Sequence, residues 1–274
     1  MDLPAFNTPL TAALAIALTL AATTVWAQSA PPDTAADRLA IKLQNPVANL
    51  ISVAIESNWE FREGPTHATD YFGDLKPIIP LQLGSDWNLI TRTVLPFSYS
   101  VLLDRGLKSR VGAGDVIAAV YLSPSKPIHG WFWGIGPGFI VPTATDDALG
   151  SGKWSAGPTG AVVAQIGPWS VFTLIGQASS FAGDPSRDRV NTTYLQPSLS
   201  YTTEKDTTFG IDTQSSYDWT AGLWTVPLEG SASQVLTLAG QSLSLGLTVR
   251  SHLDRPVTGP KWGLTLTATF LFTK

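Results

Sequence analysis

From residue 50 onward, apolar and polar residues alternate along the chain with a period of two. Ile51, Val53, Ile55, Trp59 and Phe61 interleave with Ser52, Ala54, Glu56, Asn58 and Glu60. Leu243, Leu245, Leu247 and Val249 interleave with Ser242, Ser244, Gly246, Thr248 and Arg250. Trp262, Leu264, Leu266, Ala268, Phe270 and Phe272 interleave with Gly263, Thr265, Thr267 and Thr269. Successive side chains of a strand point to opposite faces, so each segment is a strand with one apolar and one polar face. Counting such segments predicts about twelve strands, near 50–61, 70–83, 87–101, 110–123, 130–142, 153–166, 169–181, 190–203, 207–218, 223–237, 241–252 and 261–272. They are about twice as long as the roughly 5–6 residues usual in soluble proteins. They reach the about 9–11 residues that a tilted strand needs to cross a bilayer.

The connections alternate in length. Short ones fall at Gly84-Ser85, 125–129, Gly167-Pro168, 204–206 and Ala239-Gly240. Longer, more charged ones fall at 62–69, 102–109, 143–152, 182–189 and 253–260, with 219–222 a short exception. Short periplasmic turns and longer external loops are the pattern of outer-membrane barrels. With an even strand number both termini lie on the periplasmic side, so the first loop is external, as the order requires. Aromatics mark the segment ends: Trp59, Tyr71, Tyr99, Trp154, Tyr217, Trp219, Trp224 and Trp262 at the outer ends, Trp87, Trp131, Trp169, Tyr201, Phe209 and Phe272 at the inner ends. Two aromatic girdles at headgroup level belong to a membrane barrel, whereas a soluble core would place rings mid-strand. Pro80, Pro96, Pro137, Pro142, Pro158, Pro197 and Pro227 fall inside the segments, and each removes a ladder donor. Because a closed barrel has no edge strand, bulges or local breaks in the ladder are expected beside them.

The 27 residues at the amino terminus differ from the rest. Residues 12–22 form a short Ala- and Leu-rich run, followed by Val25-Trp26-Ala27 with small or aliphatic residues placed for cleavage. This is the pattern of an export signal, although no Lys or Arg precedes the run. Residues 34–45 are the one stretch with helical spacing, Leu39 and Leu43 standing four apart. The expected organisation is a signal peptide at 1–27, an N-terminal periplasmic segment with a short helix at 28–48, and a transmembrane barrel at 49–274.

Composition narrows the function. Charged residues are 14% of the chain, about half of what soluble domains carry. The chain has no cysteine, which excludes disulfides and thiolate metal sites, and its net charge of −4 is no nucleic-acid footprint. Extending the alternation turns Glu56, Glu60, Asp74, Lys76, Arg92, Asp212, Glu229 and Arg250 inward. Lipid exposure at mid-bilayer costs about 2–4 kcal/mol for Arg or Lys, which enforces that placement. Two roles remain open for these charges: a constriction that filters solutes, or internal salt bridges that seal and stiffen the barrel. The rest of the polar face is mostly Ser, Thr, Gly and Gln, which suits a barrel interior that is small, polar and partly wet.

Catalysis and metal binding have weaker support. The histidines, His67, His129 and His252, lie in loops or at strand ends, and no Gly-x-Ser-x-Gly motif marks a nucleophile. Asp146-Asp147 with Gly150 and Gly152, and Asp184 with Asp188, are acidic loop clusters that do not match the calcium-loop spacing. No enzyme, metal or cofactor is expected.

Several stretches resemble a bacterial family of outer-membrane proteins. They are Lys42 to Val53, Asp86-Trp87-Asn88-Leu89-Ile90-Thr91-Arg92, Gly136-Pro137 with Val141 to Asp146, Leu195-Gln196-Pro197 with Ser200-Tyr201-Thr202, and Trp262-Gly263-Leu264 leading to Phe270-Leu271-Phe272. The family is described as meta-pathway phenol-degradation or transporter-like barrel proteins, some carrying the label neuromedin U. The resemblance implies an outer-membrane barrel that passes small organic molecules, and it supplies no site residues. The carboxy-terminal alternation also resembles the strand read by the barrel-insertion machinery, except that Thr273 and Lys274 follow the aromatic. The expected protein is therefore an all-β antiparallel transmembrane barrel of about twelve strands with a short N-terminal helix, in the outer membrane of a Gram-negative bacterium. Its expected partners are outer-membrane lipid, a small-molecule solute and the insertion machinery, with no nucleic acid. The expected function is passive passage of small solutes, hydrophobic or aromatic ones among them, through a narrow polar lumen. A sealed structural barrel and a membrane-face hydrolase are the alternatives.

Overall fold

The alternating segments pair into one antiparallel sheet that closes on itself. The computed structural model describes the backbone of residues 38–62, 69–100, 110–257 and 259–272, and the side chains of these except 98–100 and 110. The export signal, His67, Thr273 and Lys274 lie outside the described residues. The strands are β1 (Ile51–Phe61), β2 (Thr69–Leu83), β3 (Trp87–Ser100), β4 (Arg110–Ala113), β5 (Val116–Pro124), β6 (Trp131–Val141), β7 (Lys153–Ile166), β8 (Trp169–Gly183), β9 (Asn191–Thr202), β10 (Thr207–Asp212), β11 (Ser215–Asp218), β12 (Leu223–Leu238), β13 (Gln241–Asp254) and β14 (Trp262–Phe272). β4 and β5 are halves of one stave interrupted at Gly114-Asp115, and β10 and β11 are halves of another interrupted at Thr213-Gln214. Counted as staves, the barrel has twelve. The first and last strands close it over eleven register pairs, from Ile51↔Phe272 to Phe61↔Trp262.

Register carries the alternation around the wall. Ile55, Leu247 and Leu266 face outward and exposed, while their neighbours Asn58, Ser244 and Thr265 are buried. A one-residue slip in any pairing would turn an apolar row inward and a polar row to lipid, so the two-faced pattern fixes the register. Aromatic pairs gather at both ends of the staves. Trp59 meets Tyr71 (centroids 5.4 Å apart) and Phe61 stacks on Trp262 (3.9 Å) at the long-loop end, while Trp169 meets Tyr201 (4.9 Å) at the short-turn end.

The prolines sit where the ladder lapses. Pro96 faces the interruption between β4 and β5: pairing of β3 stops at Val94↔Ile117 and resumes at Phe97↔Ala113. Pro137 lies where β5–β6 pairing skips from Ala119↔Gly138 to Leu122↔Ile135. Pro158 lies where β7–β8 pairing skips from Ala156↔Ser179 to Thr159↔Gly176. Pro197 faces the interruption between β10 and β11, and Pro227 marks a register shift in β12. A missing donor thus falls where no partner strand asks for one.

The helix is shorter than the spacing predicts. Its described turn, α1, covers Leu39–Leu43, and tight turns carry the chain to β1. Ala40, Ile41 and Val47 are almost inaccessible, at 1–2% exposure. Val47 packs in a cluster with Ile90, Tyr121, Ala161, Val163 and Leu174, inward-facing residues of four strands. Gln165 Nε2 donates to the Ile41 carbonyl at 2.7 Å, giving a helix-end acceptor its partner. Arg38 forms an ion pair with Asp206 in a short turn. The interior near the short-turn end is therefore apolar and filled by residues 38–50, the dry part of a lumen that the alternation reads as polar and partly wet. Its inward side chains meet another chain segment there, not water.

Glycine makes room in the kinked part of the wall. A Cβ on Gly136 would stand 1.8 Å from the Val120 carbonyl oxygen, whereas one on Gly138 would meet nothing closer than 3.6 Å. We expect Gly136→Ala to lose about 1–3 kcal/mol through the forced backbone shift, read as a lower urea midpoint of the refolded barrel. Gly138→Ala should stay within about 0.5 kcal/mol of the parent. Equal midpoints for the two variants would contradict the close approach of β5 and β6.

Candidate functional site in the barrel lumen

A charged row crosses one wall of the lumen. Register places Asp212 of β10 beside Glu229 of β12, Glu229 beside Arg250 of β13, Arg250 beside Gly263 of β14, and Gly263 beside Glu60 of β1. Arg250 Nε donates to Glu229 Oε1 at 2.8 Å, and Arg250 Nη1 donates to Glu60 on the far side of β14. Gly263 permits that reach: a Cβ there would stand 2.7 Å from Glu60 Oε2. Gln214 Nε2 adds a 3.3 Å bond to Glu229. All three side chains of the triad are at most 13% exposed. A pair buried this far is held less by net attraction than by the penalty of leaving either sign alone.

A second cluster lies nearer the short-turn end of β1 and β2. Lys76 Nζ sits 2.5 Å from Glu56 and 3.6 Å from Asp74. Asn58 Nδ2 donates to Asp74 at 3.3 Å, and Thr265 Oγ1 donates to Asn58 Oδ1 at 2.7 Å. Thus Glu56, Asp74, Lys76, Glu229 and Arg250, proposed from alternation alone, join two ion-paired clusters. Asp212 stands beside the first and forms no ion pair among the described residues.

Arg92 stands apart. It lies on β3 between Ile78 of β2 and Ala119 of β5. It lines an interior cavity of about 320 Å³ together with Asp74, Lys76, Tyr194, Gln196 and Gln214, and with the apolar Val94 and Leu174. Among the described residues Arg92 makes no ion pair or hydrogen bond. Charge-based selection from the sequence misses Asn58, Gln196 and Tyr194. Their inward parity alone was the available signal.

The long-loop end is tied by backbone-directed bonds. Asp115 accepts from the backbone N–H of Ala144 (3.2 Å) and of Ser151 (2.6 Å) and from the Ser151 hydroxyl (2.7 Å). Asp146 accepts from Ala148 N–H, and Lys153 Nζ donates to the Asp184 carbonyl. The Ser186 hydroxyl and N–H both donate to Asp184, holding its carboxyl below the usual carboxylate range. Asp146 and Asp184 therefore act as turn caps, and among the described residues no three acidic or histidine groups gather as a metal site. His129 sits in a turn at positive φ, and His252 donates its backbone N–H to Lys261 at 2.9 Å. Neither ring contacts a serine hydroxyl among the described residues.

A closed twelve-stave antiparallel wall with an apolar outside and an ion-paired inside defines the class of outer-membrane barrels. Within that class, the chain belongs to the family described as "Putative MetA-pathway of phenol degradation", whose model matches residues 71–254. The chain is similar in structure to an outer membrane channel from Pseudomonas putida F1, at 17% identity and TM-score 0.63, over 89% of this chain and 100% of that one. It is also similar to the NanC porin, at 12% identity and TM-score 0.51, over 81% of this chain and 100% of that one. Outer membrane phospholipase A from Escherichia coli matches at 12% identity and TM-score 0.50, over 92% and 96%. These likenesses concern the fold. No curated protein matches the chain.

Removing the cation from the triad should expose what it holds. Arg250→Met leaves Glu60 and Glu229 buried without a counter-charge. We expect a loss on the order of 3 kcal/mol, measured by urea unfolding. An unchanged midpoint would mean that water already solvates both carboxylates.

Proposed function

We propose that the protein is a channel in the outer membrane of a Gram-negative bacterium, passing small solutes passively. The carrying observation is the cavity of about 320 Å³ inside the wall, lined by both charged and apolar side chains. Such a lining accepts solutes with a polar end and a hydrophobic or aromatic body. The short-turn end faces the periplasm, and residues 28–48 belong to that side, with the segment from Arg38 seated in the mouth of the barrel. The stave geometry, the aromatic ends and the apolar outer face support a position in lipid. The apolar-aromatic end of β14, Phe270-Leu271-Phe272, supports reading by the insertion machinery.

No chemistry is assigned to the lumen. A hydrolase needs a nucleophile activated by a base within hydrogen-bond reach, and the described histidines offer none. A sealed barrel is the second reading, favoured by the segment 38–50 filling the short-turn half and by the two ion-paired clusters.

Planar-bilayer recording separates the two readings. The mature chain should show discrete conductance steps that are small because the lumen is narrowed. Arg38→Ala with Val47→Asp removes the ion pair to Asp206 and the apolar anchor of the segment, and should raise step size at least about twofold, the lumen being widened where charge and apolar contact hold it narrow. Silence from both proteins would favour the sealed barrel.

A further inference from the structure

Lys76 and Arg250, the other two cations that the alternation turns into the lumen, are each matched. Lys76 holds Glu56 and Asp74, and Arg250 holds Glu229 and Glu60. Arg92 has no such partner among the described residues, yet it lines the interior cavity. The Gln196 side chain, across that cavity on β9, likewise makes no hydrogen bond among the described residues. A guanidinium offers five donors in a planar fork and has no means of losing its charge. Taking it from water into a half-apolar space without an acceptor is unfavourable, and the one carboxylate among the residues that line the cavity, Asp74, is committed to Lys76.

The rest of the cavity suits a body larger than an inorganic ion. Val94, Pro96 and Leu174 give it an apolar side. Gly138 and Gly176 also line it and hold space that side chains would take. Tyr121 closes it toward the short-turn end, where the ring packs against Val47 and its hydroxyl lies 3.2 Å from Thr159 Oγ1. The volume of about 320 Å³ falls at the small end of pockets that bury organic ligands.

We propose that Arg92 and Gln196 form a binding site inside the lumen for a small organic monoanion, a carboxylate carried on an apolar body. The carboxylate meets the fork of Arg92 in a bidentate pair, Gln196 donates to it or to a neighbouring oxygen, and the apolar body lies along Val94 and Leu174. The site names a substrate class for the proposed channel and rests on the lumen being a solute path.

The test uses the refolded mature chain in detergent, with benzoate and the size-matched neutral benzyl alcohol as probes in calorimetric titration. Benzoate should bind saturably and about tenfold or more tighter than benzyl alcohol, the scale of one charge-assisted pair. Arg92→Gln should erase that preference, and Arg92→Lys should restore part of it. Equal binding of the two probes to the parent protein, or a benzoate affinity unchanged in Arg92→Gln, would overturn the site. If Arg92→Gln fails to give a folded, heat-modifiable barrel, the probe comparison on the parent and on Gln196→Leu decides, the latter weakening benzoate more than benzyl alcohol. Potassium chloride conductance on the same sample tests the channel independently. Conductance without preference for benzoate overturns this site alone. Arg92-dependent binding in a silent barrel supports the site and removes the path.

Discussion

A backbone N–H or C=O inside hydrocarbon has no water to bond, and each one left unpaired costs several kcal/mol in the apolar limit. Every other property of this chain follows from meeting that constraint with strands. The sheet has to close, so β1 pairs with β14 along its whole length. Closure divides the side chains into two populations that never mix, one facing lipid and one facing the lumen. Charges belong to the second, because Arg or Lys turned toward lipid would cost about 2–4 kcal/mol at mid-bilayer. Once inside a narrow barrel they meet a smaller version of the same problem, and the two ion-paired clusters are its solution. Gly263 belongs to that solution: its missing side chain lets Arg250 reach over a whole strand to Glu60.

The interior is divided along its axis. Toward the short-turn end, Val47 and the inward faces of four strands form an apolar packing unit. Toward the long-loop end, Arg250 and its two carboxylates cross the wall, and the loops are tied by Asp115, Lys153 and Arg187. Between them lies the cavity, at the height where several ladders lapse beside Pro96, Pro137, Pro158 and Pro197. Prolines and glycines here shape the wall rather than weaken it. Each interruption bends a stave around a space that a regular ladder of bulky side chains would leave no room for.

Much of the fold is legible in the chain because lipid imposes a strict period of two. The sixth stave spans 153–166 both in the alternation and in the folded barrel, and most other ends agree within a residue or two. The interruption at Thr213-Gln214 is not legible, because the inward and outward parity runs on through it, and at Gly114-Asp115 the register on β3 slips by one residue, from Val94↔Ile117 to Phe97↔Ala113, within a Gly- and Ala-rich stretch whose pattern does not show the slip. The prolines announce lapses without saying which neighbour is lost, since that depends on pairing between distant segments. Parity also selects the charged lumen residues but not their partners. Arg250 and Glu60 are 190 positions apart and meet only because β13, β14 and β1 share a register. The isolation of Arg92 is likewise a property of the closed wall. Polar alternation suits a partly wet lumen without saying which part is dry; Val47 and its neighbours make the short-turn part dry, because a segment preceding the barrel fills that space.

The central claim is that one face of every stave meets lipid and the other is enclosed. The chain lacks native cysteine, so single labels can be placed on adjacent residues of one strand. Leu247→Cys puts a fluorophore on the outward face of β13, and Thr248→Cys puts it on the inward face. After reconstitution in vesicles carrying nitroxide-labelled acyl chains, the label at 247 should be strongly quenched and the label at 248 should remain bright. Equal quenching at the two positions, or none at either, would contradict the barrel's placement in the membrane.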